Sequence, residues 1–83
     1  MKGNHIKLTL DQKVSYQIKV PGVLDAGWSD WDDQLKVEVE NNRAGQPITV
    51  LTGTVDQAAL HGILRRLYSL GMPLLSVICL DVS

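Results

Sequence analysis

The sequence has no phenylalanine, one cysteine and three prolines among 83 residues. One cysteine excludes an internal disulfide, and its place in LLSVICLDV favours a buried structural thiol at Cys79. Without phenylalanine the core must be aliphatic, with two tryptophans and two tyrosines as the aromatic bodies. We expect a single domain over residues 1–83, in which folding hides only about 60–65% of the unfolded surface, so the stability margin is narrow.

The chain also lacks an excess of charge and lacks long apolar runs. Eight basic and nine acidic side chains give a net charge of −1, which offers no attraction to a phosphate backbone or an anionic membrane. No apolar run reaches the length of a signal-peptide core or a membrane span. We therefore expect neither nucleic acid nor a membrane as a partner, and a cytoplasmic location.

Alternation of apolar and polar residues predicts several strands. VSYQIKV places all its apolar residues on one face, which is the period of a half-buried strand, and Pro21-Gly22 ends it. KVEVE and ITVLT flank the turn sequence NNRAGQP and predict a hairpin. HIKLTL alternates in the same way, so residues 1–13 are predicted to form an N-terminal extension or an extra strand.

The segment DQAALHGILRRLYSLGMP predicts the longest element, an amphipathic helix. Thr54 and Gln57 have the spacing of a capping box, and Asp56 in the first turn complements the positive end of the helix dipole. Leucine and isoleucine then recur at helical spacing and form one apolar stripe. Gly71 and Pro73 are typical of residues that end a helix.

The order of these elements predicts an α+β fold. A short helix is predicted around Trp28 and Trp31, between the first strand and the hairpin. The elements suit a small antiparallel sheet of four strands, or five with an N-terminal strand, with the long and the short helix on one face. A ferredoxin-like βαββαβ arrangement is the favoured topology. A three-strand meander followed by a βαβ unit is the alternative.

The last predicted strand, in LLSVICLDV, is apolar on both sides, whereas the other strands have a polar side. The long helix covers only one face, so we expect an uncovered patch with Leu75, Val77 and Cys79, and with Leu51 nearby. Gly62 in the helix interior costs about 1 kcal/mol relative to alanine, which favours close packing against a strand or a partner helix. These features predict the interface of a homo-oligomer, a dimer or a dimer of dimers.

The sequence also resembles a family of small prokaryotic proteins. DQAALHGILRRLYSLGMPLLSV is similar to their DQAALHGLL-type helix and Leu-Gly-x-Pro-Leu-Leu-Ser-Val strand, and residues 28–31 match their Trp-Ser-x-Trp pattern. The resemblance covers about residues 14–80. It implies a shared fold unit and supplies no catalytic residue, because the family has no established activity.

His61 is the candidate general base of a small enzyme, with Asp56 or Tyr68 as its helper. We favour the alternative that His61 makes a hydrogen bond at the sheet edge or a subunit contact. One cysteine and two histidines do not complete a tetrahedral zinc set, and no glycine-rich phosphate loop is present. We therefore expect no metal and no cofactor, and the leading interpretation is a non-catalytic, self-associating domain.

A module that binds or senses a small molecule is the second interpretation. Trp28 and Trp31 are candidate ligand-binding residues, with Arg65 of the long helix as a third. The free N–H groups at the start of that helix suit an anionic metabolite. The alternative role for the two tryptophans is to close one end of the sheet, as expected in a core without phenylalanine.

Overall fold

The computed structural model describes residues 8–24 and 35–81 of the chain. Its four strands form one antiparallel sheet in the order β2-β3-β1-β4, and a single described helix packs on one face. This confirms the predicted small α+β fold. The elements are β1 (Val14–Pro21), β2 (Leu35–Asn41), β3 (Pro47–Val55), α1 (Gln57–Ser69) and β4 (Ser76–Cys79).

Strand β1 lies in the middle of the sheet, between β3 and β4. Both neighbours are antiparallel to β1, so β3 and β4 are parallel to each other, and α1 connects them. This is a split βαβ unit. The meander alternative is not observed, because β1 pairs with β3 and not with β2.

Two predictions lie wholly or partly outside the described residues. The short helix around Trp28 and Trp31 is one of them. The other is the extra N-terminal strand, of which the structure describes only the end. There, a turn brings the Gln12 N–H within 3.4 Å of the Thr9 carbonyl, and no strand precedes β1 in the described part of this segment.

The core lies between α1 and the sheet and is mainly aliphatic. The alternate residues of β1 predicted to share a face are buried, with side chains at most 5% exposed. Leu51 on β3 and Leu67 on α1 are fully buried in the same cluster. Tyr16 is the aromatic member. The other buried members are Val14, Ile18, Val20, Leu35, Val55, Leu60 and Ile63.

An ion pair crosses the opposite face of the sheet between β1 and β2. Lys19 of β1 and Glu40 of β2 form an ion pair with a Nζ to Oε2 distance of 3.0 Å. Strand β3 lies between these strands, so the pair passes above it. Ile48 and Val50 of β3 face this side and are 9% and 6% exposed. The ion pair therefore shields apolar surface that no described helix covers.

The start of α1 differs from the prediction. Thr54 is part of β3, and its hydroxyl lies 2.9 Å from that of Ser15. The N-cap is Asp56, whose Oδ1 atom accepts a 2.9 Å hydrogen bond from the N–H of Ala59. The predicted Thr54–Gln57 capping box is wrong, because a carboxylate two residues later already satisfies the first turn.

Replacing Asp56 with alanine is expected to lower the free energy of unfolding by about 1 kcal/mol, since the Ala59 N–H loses its acceptor. Asp56→Asn keeps an acceptor and should retain most of the stability. Thr54→Ala should change it by less than about 0.5 kcal/mol, because the lost contact is exposed. Urea denaturation measures all three; a larger loss for Thr54→Ala than for Asp56→Ala would contradict the assigned cap.

The end of α1 agrees with the prediction. Gly71 has a φ of +76°, a conformation that glycine adopts without steric cost. Its N–H donates to the carbonyl of Tyr68 at 2.9 Å, and the Met72 N–H donates to the carbonyl of Leu67 at 3.0 Å. These two bonds form a Schellman motif, which ends the helix and turns the chain toward β4.

Candidate functional site

His61 is connected to the core through one glutamine. Nε2 of Gln57 donates a 2.6 Å hydrogen bond to the hydroxyl of Tyr16, and Oε1 of Gln57 lies 3.3 Å from Nε2 of His61. Tyr16 is buried, whereas His61 is exposed. The imidazole of His61 therefore lies within hydrogen-bonding reach of Gln57, and the favoured structural role of His61 stays a prediction.

The proposed helpers of His61 have other surroundings. Asp56 caps α1, and Tyr68 is 83% exposed on the same helix. No described hydrogen bond joins either residue to His61. The structure therefore places the three catalytic candidates on one helix without assembling them, and their catalytic role stays a prediction.

One of the three ligand-binding candidates lies within the described residues. Arg65 is exposed on α1, while Trp28 and Trp31 lie outside the described residues. Beside Gly53 a narrow apolar gap separates α1 from the sheet, lined by side chains that include Tyr16 and Leu60. Its lining is aliphatic apart from the tyrosine, so it offers few groups to orient a polar metabolite.

Two further features are absent from the described part of the chain. Residues 8–24 and 35–81 contain no group of three or more histidine, cysteine, aspartate or glutamate side chains that could hold a metal ion. In the same ranges, no helix has the length and apolar character needed to cross a membrane.

Gly62 is not closely packed by the described residues. A Cβ atom built at Gly62 meets no heavy atom within 4 Å outside the helix's own backbone and the adjacent residues. The prediction that Gly62 permits close approach of a strand is therefore wrong for the strands that the structure describes. Contact of Gly62 with a partner helix stays a prediction.

Replacing Gly62 with alanine is expected to raise the free energy of unfolding by about 0.5–1 kcal/mol, because alanine loses less backbone entropy in a helix. Thermal unfolding of dilute protein measures this, and Ala58→Gly on the same helix should change stability in the opposite direction. A loss of stability for Gly62→Ala would show that the space beside Gly62 is filled. A lower oligomer mass together with a more stable subunit would place Gly62 in a contact between copies.

The most unusual surface of the described chain lies at β4. Five aliphatic residues within seven positions are between 40% and 54% exposed. We call this surface the apolar edge. Its residues are Leu74, Leu75, Val77, Ile78 and Leu80.

The register of β1 and β4 separates the two sides of the apolar edge. Val77 lies opposite Ile18 and therefore faces α1, as does Cys79 opposite Tyr16. Ile78 is on the other side, opposite Gln17. Both sides are thus apolar, as predicted. Leu51 is fully buried and is not part of the exposed patch, which corrects the expectation that it lies there.

The two edges of the described sheet differ in charge. Strand β2 has Lys36, Glu38 and Glu40 on one side, all exposed, and such charges discourage pairing with another chain. Strand β4 has no charged residue. Within the described chain, neither strand has a neighbour on its outer side. The β4 edge is therefore the unprotected one.

Leu74, Ile78 and Leu80 are also exposed, and the sequence-based prediction of an interface at Leu75, Val77 and Cys79 did not include them. Cys79, in turn, is half-buried and packs partly against the core. The signal was present in the sequence, because residues 71–80 contain no charged side chain on either side of the alternation. Periodicity alone could not show that this strand is at an edge.

The comparisons with known proteins agree with this description. No curated protein and no solved structure matches the chain. One family model matches residues 15–78, which span the helix and all four described strands except the first residue of β1 and the last residue of β4, and its description is "Domain of unknown function (DUF8691)". The chain therefore belongs to the DUF8691 family, which has no established activity.

Proposed function

We propose that this chain is a non-catalytic domain that self-associates through the apolar edge. The observation that carries the proposal is the exposure of five neighbouring aliphatic residues in and directly beside an edge strand that has no charged residue. Water contact with such a surface is unfavourable, and a second copy removes it.

The apolar edge provides part of the area that a contact between copies needs. The five side chains expose on the order of 400 Å² together, which is the size of the largest apolar patch on a typical monomer. A standard interface buries about 800 Å² per partner. Leu70 and Tyr68 at the end of α1 are also exposed, at 55% and 83%.

The sheet supports a ferredoxin-like arrangement. The split unit β3-α1-β4 around β1 is one half of a βαββαβ chain. The short helix that the sequence predicts around Trp28 and Trp31, between β1 and β2, would supply the helix of the other half. The free thiol of Cys79 fits the reducing cytoplasm, where we place the protein.

Light scattering of the full chain over a range of concentrations tests the proposal. We expect a particle of at least twice the 9.1 kDa subunit mass. Val77→Lys should return the mass to that of one subunit, because the lysine ammonium would be desolvated in the contact. Val39→Lys is the matched control, since Val39 is an exposed valine on the helix side of the other edge strand.

Two outcomes would overturn the proposal. One is a single-subunit mass for the unmodified chain at high protein concentration. The other is an equal loss of mass for Val39→Lys and Val77→Lys, which would show that the β4 edge has no special role. Circular dichroism of each variant checks that the subunit remains folded.

A further inference from the structure

The hydrogen bonds of β4 determine how a second copy could pair with it. Leu80 donates its N–H to the Ser15 carbonyl at 2.8 Å, in the register that places Cys79 opposite Tyr16. The residues that bond to a given neighbour alternate along an antiparallel strand. Ile78 therefore bonds toward β1, as Leu80 does. The N–H and C=O groups of Val77 and Cys79 point away from the sheet.

The other side of β1 gives the same alternation. Gly22 donates its N–H to the Pro47 carbonyl at 2.9 Å, continuing the register between β1 and β3. Even-numbered residues of β1 thus bond to β3, and odd-numbered residues such as Gln17 bond to β4. Gln17 lies opposite Ile78. The Leu80–Ser15 and Gly22–Pro47 hydrogen bonds therefore lead independently to the same conclusion, that the N–H and C=O groups of Val77 and Cys79 point away from the sheet.

Resting on the self-association proposed above, we propose that two copies join their β4 strands antiparallel about a two-fold axis at Ile78. Val77 of one copy then lies opposite Cys79 of the other. In this register all the outward N–H and C=O groups of Val77 and Cys79 in both copies are paired. A register in which Val77 lies opposite Val77 of the second copy, or Cys79 opposite Cys79 of the second copy, pairs only half of these groups within β4. The two sheets become one continuous sheet.

The side chains fit this register. Ile78 meets Ile78 of the second copy as a pair without mutual hydrogen bonds, the type of pair whose side chains approach most closely. Val77 meets Cys79 of the second copy on the helix side. Residues 71–80 contain no charged side chain, so the two-fold axis brings no like charges together there. A second copy is the occupant that matches an edge of this kind, because the paired strands Ser76–Cys79 bring no charged side chain into the contact.

Disulfide trapping tests the register, with Cys79→Ser as the background. Ile78→Cys in this background should form a covalent dimer after mild oxidation, seen on a non-reducing gel, because opposed residues have the Cα separation that a disulfide needs. Val77→Cys in the same background should not form a covalent dimer. The new cysteine faces the serine at position 79 of the second copy, and serine has no thiol. Val77→Cys with Cys79 retained should crosslink. Val39→Cys in the Cys79→Ser background reports random collisions.

The outcomes separate the register from self-association. If light scattering shows a dimer but the unmodified chain crosslinks through Cys79 more fully than the Ile78→Cys variant, the register is wrong and self-association stands. If all variants remain single subunits, and none crosslinks above the Val39→Cys control, self-association itself is wrong. Among the three chains that carry Cys79→Ser and one introduced cysteine, crosslinking at Ile78 alone supports the axis at Ile78.

Discussion

Replacing Leu67 with alanine is expected to lower the free energy of unfolding by about 2–5 kcal/mol, the largest loss that we predict. Leu67 is fully buried between α1 and the sheet, and truncation removes its contacts and leaves a cavity. Total stability of a chain of this length is on the order of 4–12 kcal/mol, so the variant approaches the unfolding threshold. Urea denaturation followed by circular dichroism measures the change.

Two controls make this result interpretable. Tyr68→Ala changes the next residue, which is 83% exposed, and should alter the free energy of unfolding by less than about 0.5 kcal/mol. Leu67→Met keeps most of the volume and should cost less than about 1.5 kcal/mol, which keeps the measurement possible if the alanine variant does not fold. Equal losses for Leu67→Ala and Tyr68→Ala would contradict the assigned core.

The second large effect is expected at Thr49. Its side chain is fully buried, and its hydroxyl donates to the Gly22 carbonyl at 2.6 Å and accepts from the Leu24 N–H at 3.3 Å. Thr49→Val keeps the shape but leaves both backbone groups without this partner. We expect a loss of about 1–3 kcal/mol in the free energy of unfolding, measured by thermal or urea unfolding.

Thr52→Val is the matched control for Thr49→Val. Thr52 lies on the same strand, an odd number of residues after Thr49, so its side chain faces the opposite side of the sheet. It is only half-buried. Its stability change should stay within about 0.5 kcal/mol. If Thr49→Val is as neutral as Thr52→Val, the hydroxyl does not hold the turn after β1.

The strands and the long helix followed from the sequence because local chemistry determines them. The alternation in VSYQIKV matches the buried face of β1, and Gly71 ends α1 with a positive φ. The position of the cap did not follow, since Thr54 and Asp56 are both good capping residues. The choice between them depends on how far β3 extends, and that extent is set by its pairing with Ser15 on β1.

The order of the strands and the exposure of side chains depend on tertiary structure. The sequence placed Leu75, Val77 and Cys79 on one side of the last strand, and the register agrees for Val77 and Cys79. It did not reveal that both sides are partly exposed, because an edge position is a property of the whole sheet. The connection of His61 to Tyr16 through Gln57 was also hidden, since it joins residues on separate elements.

The position of β1 also has a consequence for the folding pathway. Tyr16 pairs with Gly53 on one side and Cys79 on the other, so both neighbours of β1 are distant in sequence. Among the described strands, only β2 and β3 can pair across a short turn, so this hairpin has the smallest entropy cost of loop closure. Closing the larger loops costs entropy before any contact is gained, which slows such topologies. An intermediate formed before β4 docks would leave the central strand with an open backbone edge, vulnerable to mispairing.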